Sequence, residues 1–127
     1  MKIKITVSAG EIIDKITILE LKASRIKDAY KVYAAIKELK ELSPAIYKIL
    51  SADRKKIIRL KQKLYNVNSR LWNIENSIRE HEGKNDFGMN FIKLARSVYV
   101  QNDKRAALKN MINNLTCSHI TEVKEYK

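Results

Sequence analysis

The sequence predicts a mainly α protein. The expected architecture is a bundle of three to four helices, including a long coiled-coil-like antiparallel pair, with a minor two-stranded sheet from the two termini. Three observations predict it. Apolar residues recur at three- and four-residue spacings over long stretches, as along a helix face buried in a bundle. Only three Gly and one Pro punctuate 127 residues, too few for the many turns of a β-sandwich or barrel. Hydrophobic residues make up 45% of the chain. That argues against disorder and suffices for the core of a single helical domain over 1–127.

Each element has its own signal. Residues 2–7 alternate polar and apolar side chains, so Ile3, Ile5 and Val7 share one face, as in a half-buried strand. Ser8-Ala9-Gly10-Glu11 has the spacing of a capping box, which predicts a helix beginning near Ala9. Its seam is Ile12, Ile16, Leu19, Ala23, Ile26 and Tyr30. The frame is lost there and restarts at Val32, Ile36 and Leu39, predicting a kink or short break near Asp28–Lys31. Ser43-Pro44 is a second start signal, with Ser43 as cap and one or two turns over 44–50. Ser51 or Asp53 caps the next helix.

That next helix carries the clearest periodicity. Ile57, Leu60, Leu64, Val67, Leu71, Ile74 and Ile78 alternate strictly at three and four. The helix runs to about Glu82 and stops at Gly83. A polar linker follows over 82–86, and a last helix covers 88–115. Its seam is Phe91, Leu94, Val98, Leu108, Ile112 and Leu115, interrupted by Gln101 and Arg105. The tail, 119–126, alternates again and is the expected partner strand for 2–7. The long helix also has a second apolar stripe, Ile58, Tyr65 and Trp72, and the first helix has Ile18 and Leu21 off its seam. Either each helix touches two others within one chain, or the spare stripe forms a homodimer. Self-association is favoured.

With 26 Lys+Arg against 14 Asp+Glu, the formal net charge is +12. Nineteen of the cations are Lys and seven are Arg, with abundant Ile and Asn. This is the footprint of an AT-rich genome, so the location of the charge carries more than its total. Residues 51–70 hold seven Lys/Arg and one acid. Lys55, Lys56, Arg59, Lys63 and Arg70 cluster on one face of the 54–70 segment, the pattern of a solvated face, of a surface for nucleic acid or another polyanion, or of one for a partner protein. No aromatic residue interleaves with them.

A second constellation lies near the helix seams: Glu11, Asp14 and Lys15 on the first helix, Glu75 and Arg79 on the long one, Arg96, Asn102 and Arg105 on the last. Charges are not buried unpaired, so an inward Arg105 needs a carboxylate, and Glu75 or Glu20 could supply it. Such a network either fixes helix register or forms a pocket for a small anion. His81 sits near a helix end, where a positive imidazole favours the dipole. Cys117 and His119 lack the third group that would orient a nucleophile pair. One cysteine excludes an internal disulfide and a cysteine-rich zinc site. There is no P-loop, dinucleotide fingerprint or zinc-protease helix. No metal and no cofactor is expected. No apolar run approaches the ~18 residues of a membrane span, and MKIKITVSAGE has no signal-peptide core, so the expected location is cytoplasmic.

The stretches Gly10–Glu20, Asn68–Arg79 and Asp86–Asn113, with the closing Glu122–Tyr126, resemble an uncharacterised family of small bacterial and viral proteins, a domain of unknown function. The resemblance spans most of the chain except about 27–66 and implies no activity or ligand. Ile13-Asp14-Lys15-Ile16 followed by Arg25 is also similar to the opening of helical-bundle chorismate mutases. That likeness implies a dicarboxylate held between helices by Arg and Lys, without a cofactor. The leading functional expectation is a non-enzymatic, homo-oligomeric binding or assembly module. The alternatives are a polyanion binder on the 54–70 face, and a small-anion enzyme or sensor built on the Arg/Glu constellation.

Overall fold

The computed structural model describes residues 1–117 of the chain. Helix α1 spans Ala9–Arg25, α2 Ala29–Leu50, α3 Arg54–Gly83 and α4 Met89–Leu115. The Ser8 hydroxyl accepts from Glu11 N at 3.2 Å and starts α1 where the capping motif predicts. Asp28 caps α2 by accepting from Tyr30 N and Lys31 N, and Asp53 caps α3 by accepting from Lys56 N at 3.2 Å. The first two helices are thus separate, with the break at residues 26–28.

Two local expectations are corrected. Pro44 lies inside α2 and starts no new helix. The apolar rhythm Leu39, Leu42, Ile46 and Ile49–Leu50 continues across it, and all five side chains pack in or against the core. Tertiary packing offsets the hydrogen bond that proline lacks. Helix α3 does stop at Gly83, and the reversal after it uses Asn85 at φ 52°, a residue that tolerates that region. Residues 2–7 form no strand: Ile3 and Ile5 are exposed, and no backbone ladder engages them among the described residues. Alternation alone does not make a strand without a partner. The proposed partner, 119–126, lies outside the described residues.

Helix α1 is the central element. It packs on α2, α3 and α4, whereas α2 and α4 do not meet. Its Ile13 and Ile16 join Ile49, Ile57, Leu64 and Ile112 in the core. Gly10 lets α1 approach α4. A Cβ there would overlap the Lys109 carbonyl and lie 2.8 Å from Asn113 Oδ1. The Asn113 oxygen instead accepts from Gly10 N at 2.7 Å, satisfying a first-turn amide that has no partner within its helix.

Helices α3 and α4, joined by 84–88, pack along each other. The buried residues of α3 end at Asn68, and those of α4 begin at Ala106. Between 69 and 105 no residue is buried: α1 reaches only the start of this stretch, through Ser69 and the Leu71–Glu75 turn, and beyond it α3 and α4 have only each other. The apolar rhythm nonetheless continues through Leu71, Ile74 and Ile78 on α3, and through Phe91, Leu94 and Val98 on α4. These residues form a two-helix arm beyond the four-helix part. Among the described residues no helix is long and apolar enough to cross a membrane.

Candidate functional site

At the base of the arm, the inner face of α1 turns polar. Asp14 and Thr17 are 1% and 0% exposed, surrounded by apolar helix faces. An uncompensated carboxylate in such a place costs several kcal/mol. Asp14 is compensated from two other helices. Its Oδ1 accepts from Arg105 Nε at 2.8 Å and from Asn68 Nδ2 at 2.9 Å. Its Oδ2 accepts from Arg105 Nη2. Asn68 Nδ2 also reaches Thr17 Oγ1 at 2.8 Å, and that hydroxyl donates to the Asp14 carbonyl at 2.7 Å. The two-point contact between guanidinium and carboxylate fixes the plane as well as the position of the Arg105 head.

Arg105 is only partly buried, with 29% of its side chain exposed. Its outer side lines a cleft of ≈ 560 Å³ between α1, α3 and α4. Ile18, Leu21, Leu71 and Trp72 supply apolar walls. Asn68, Glu75, Asn76 and Arg79 supply polar groups from successive turns of α3. Arg79 Nε stands 3.7 Å from Glu75 Oε2 on the rim. Small-molecule sites have this character: about 300–1,000 Å³, mostly apolar walls and a few convergent polar groups.

The structure brings together four of the eight residues expected around a ligand: Asp14, Glu75, Arg79 and Arg105. The other four go elsewhere. Glu11 pairs with the buried Lys109 at 2.8 Å, and Lys15 pairs with Glu38 of α2 at 2.7 Å. Arg96 is exposed on the arm, and Asn102 is half-buried on α4 but does not line the cleft. The expected partner of Arg105 is also corrected. Neither Glu75 nor Glu20 meets it; Asp14 does, while Glu20 pairs with Lys61 at 2.9 Å. Of the residues likened to chorismate mutases, Lys15 turns to α2 and Arg25 donates to Ser69, so neither joins Asp14.

Thr17, Asn76 and the buried role of Asn68 escaped the sequence reading. The available signal was a pair of uncharged polar residues, Thr17 and Asn68, adjoining apolar seams. Gln101, the other interruption of the α4 seam, has its Oε1 buried without a hydrogen-bond partner. Trp72, read from its spacing as packing or interface, is a wall of the cleft.

The basic set is exposed throughout. Lys55, Lys56, Arg59, Lys63 and Arg70 all face solvent on α3, with Lys56 3.9 Å from Asp53. Lys63 and Arg70, together with Lys104 of α4, line a second cleft of ≈ 340 Å³ whose floor is Val67, Ala107 and Leu108.

The model of one protein family matches residues 1–127; it is described as a family of unknown function (DUF6165). No curated protein and no solved structure matches the chain.

Proposed function

We propose, from the premise that the chain belongs to this family of unknown function, that it is a non-enzymatic binding module whose α1/α3/α4 cleft takes a small anionic ligand with an apolar body. The observation that carries this is the buried Asp14 gripping Arg105 from behind while the outer side of Arg105 lines an open cleft. A buried carboxylate that orients a guanidinium reduces the side-chain entropy lost when that guanidinium later meets an anion. Arg79 adds a second cation at the rim, and Trp72 with Leu71 offers a flat apolar surface to the body of the ligand.

Thermal unfolding tests the proposal. Benzoate, phenyl phosphate, succinate and inorganic phosphate are compared on the wild type and on Arg79→Gln. Ligand at about 100 times its Kd stabilises a protein by roughly 2.7 kcal/mol. The expected result is a dose-dependent rise in Tm with the aromatic anions, reduced in Arg79→Gln. Equal small shifts with all four anions in both proteins would count against it.

Assembly as a homodimer is supported by a separate observation. The arm continues the seams of α3 and α4 with no buried residue between 69 and 105. Two such arms, packed about a two-fold axis, would give each seam the further helices it needs for burial. Light scattering coupled to size exclusion is expected to give twice the 14.8 kDa chain mass. A monomer at every concentration tested contradicts this second reading.

A further inference from the structure

We infer that the outer face of the α3/α4 pair is a sequence-independent binding surface for the phosphate backbone of a double-stranded nucleic acid, centred on Lys63, Arg70 and Lys104. Helix α3 carries no carboxylate from residue 54 to 74. At 100° per residue, Lys55, Arg59, Lys63 and Arg70 fall within about 80° of arc and extend about 22 Å along the axis. Lys55, Arg59 and Lys63 repeat every four residues, a rise of about 6 Å at each step. Lys104 approaches from α4 and closes the far side of the cleft.

None of Lys63, Arg70 and Lys104 is in an ion pair among the described residues, and Lys63, Arg70 and Lys104 are all exposed. Several cations elsewhere face carboxylates, among them Lys15 with Glu38, Lys61 with Glu20, Lys109 with Glu11 and Arg105 with Asp14. What sets this face apart is its helix: residues 54–74 hold seven Lys/Arg and no carboxylate. Cations that meet phosphates release condensed counterions, which drives association without reading bases.

An anionic membrane fits this face less well. Membrane-surface helices insert bulky apolar side chains beside their basic ones. Here the arc between the cations is filled by Asn66 and Asn73. The neighbouring Val67 and Leu108 are held between the helices as the cleft floor. The absence of aromatic residues on the arc also disfavours single strands, which are held by base stacking.

The test is fluorescence anisotropy with a short labelled duplex of mixed sequence, using the full chain. With about five phosphate contacts, affinity falls about 500-fold between about 50 mM and about 200 mM salt. The triple variant Lys63→Gln/Arg70→Gln/Lys104→Gln keeps about two contacts and falls only about tenfold over the same range. A control triple, Lys27→Gln/Lys31→Gln/Lys37→Gln, removes the same charge from residues outside the cleft, on or just before α2, which does not meet α4, and keeps the wild-type salt dependence. Circular dichroism confirms that both triples are folded. The inference is overturned by absence of binding at about 50 mM salt, or by equal flattening in the control. It is equally overturned if phosphatidylserine vesicles capture the protein while the duplex does not.

Discussion

Replacing Asp14 with alanine is expected to lower the unfolding free energy by about 3 kcal/mol, at the low end of the range for breaking a buried ion pair because Arg105 keeps some access to water. For a chain of this size that corresponds to a fall in Tm of about 10 °C. The effect arises from what is left behind. Arg105 loses a two-point acceptor, and Asn68 loses the carboxylate oxygen it donates to at 2.9 Å. A cycle with Asp14→Leu, Arg105→Leu and the double variant separates pairing from packing. The double variant is expected to be far more stable than the sum of the single losses, since apolar groups of similar volume replace a buried pair at little net cost. Additive single losses would mean that the pair is not coupled.

Gly10→Ala is expected to lower stability by about 3 kcal/mol, through overpacking and a strained buried hydrogen bond. Helix propensity alone predicts the opposite sign, a gain of up to about 1 kcal/mol for alanine over glycine. The two differ because the new methyl meets backbone rather than a movable side chain: the Lys109 carbonyl, with Asn113 Oδ1 at 2.8 Å beside it. Helix α1 must withdraw from α4, and the Gly10 N to Asn113 bond lengthens from 2.7 Å. Urea unfolding of both proteins decides the sign. Unchanged or raised stability in Gly10→Ala would show that α1 and α4 do not approach as described.

Much of the bundle was legible because local rules and tertiary packing agree. Ser8 begins α1, Asp53 begins α3, and the strict alternation from Ile57 to Ile78 makes one long helix. Pro44 and residues 2–7 misled for opposite reasons. At Pro44 a local start signal for a new helix was overridden by packing on both sides of it. At 2–7 a local strand signal had no described partner to complete it. Asp14, Glu75, Arg79 and Arg105 were recognisable one at a time as charges near apolar seams. Their grouping was not, because it depends on the rotation and neighbours of each helix, which periodicity leaves undetermined. Asp14 proved to be the partner of Arg105 because α1 also lies against that part of α4 and brings its buried carboxylate within bonding distance, whereas Glu75 of α3 stays across the cleft. Lys104 was missed for the same reason: it joins Lys63 and Arg70 only across the space between two helices.

The cleft contains its own reporter. Trp72 is the only tryptophan in the chain and forms one wall of the cleft. Titrating its emission with phenyl phosphate, on the wild type and on Arg79→Gln, tests the ligand-binding proposal most directly. A saturable change with one ligand per chain, weakened about tenfold by the loss of one charge-assisted contact, is the predicted result. Emission that stays unchanged to millimolar ligand, or changes identically in both proteins, would contradict it.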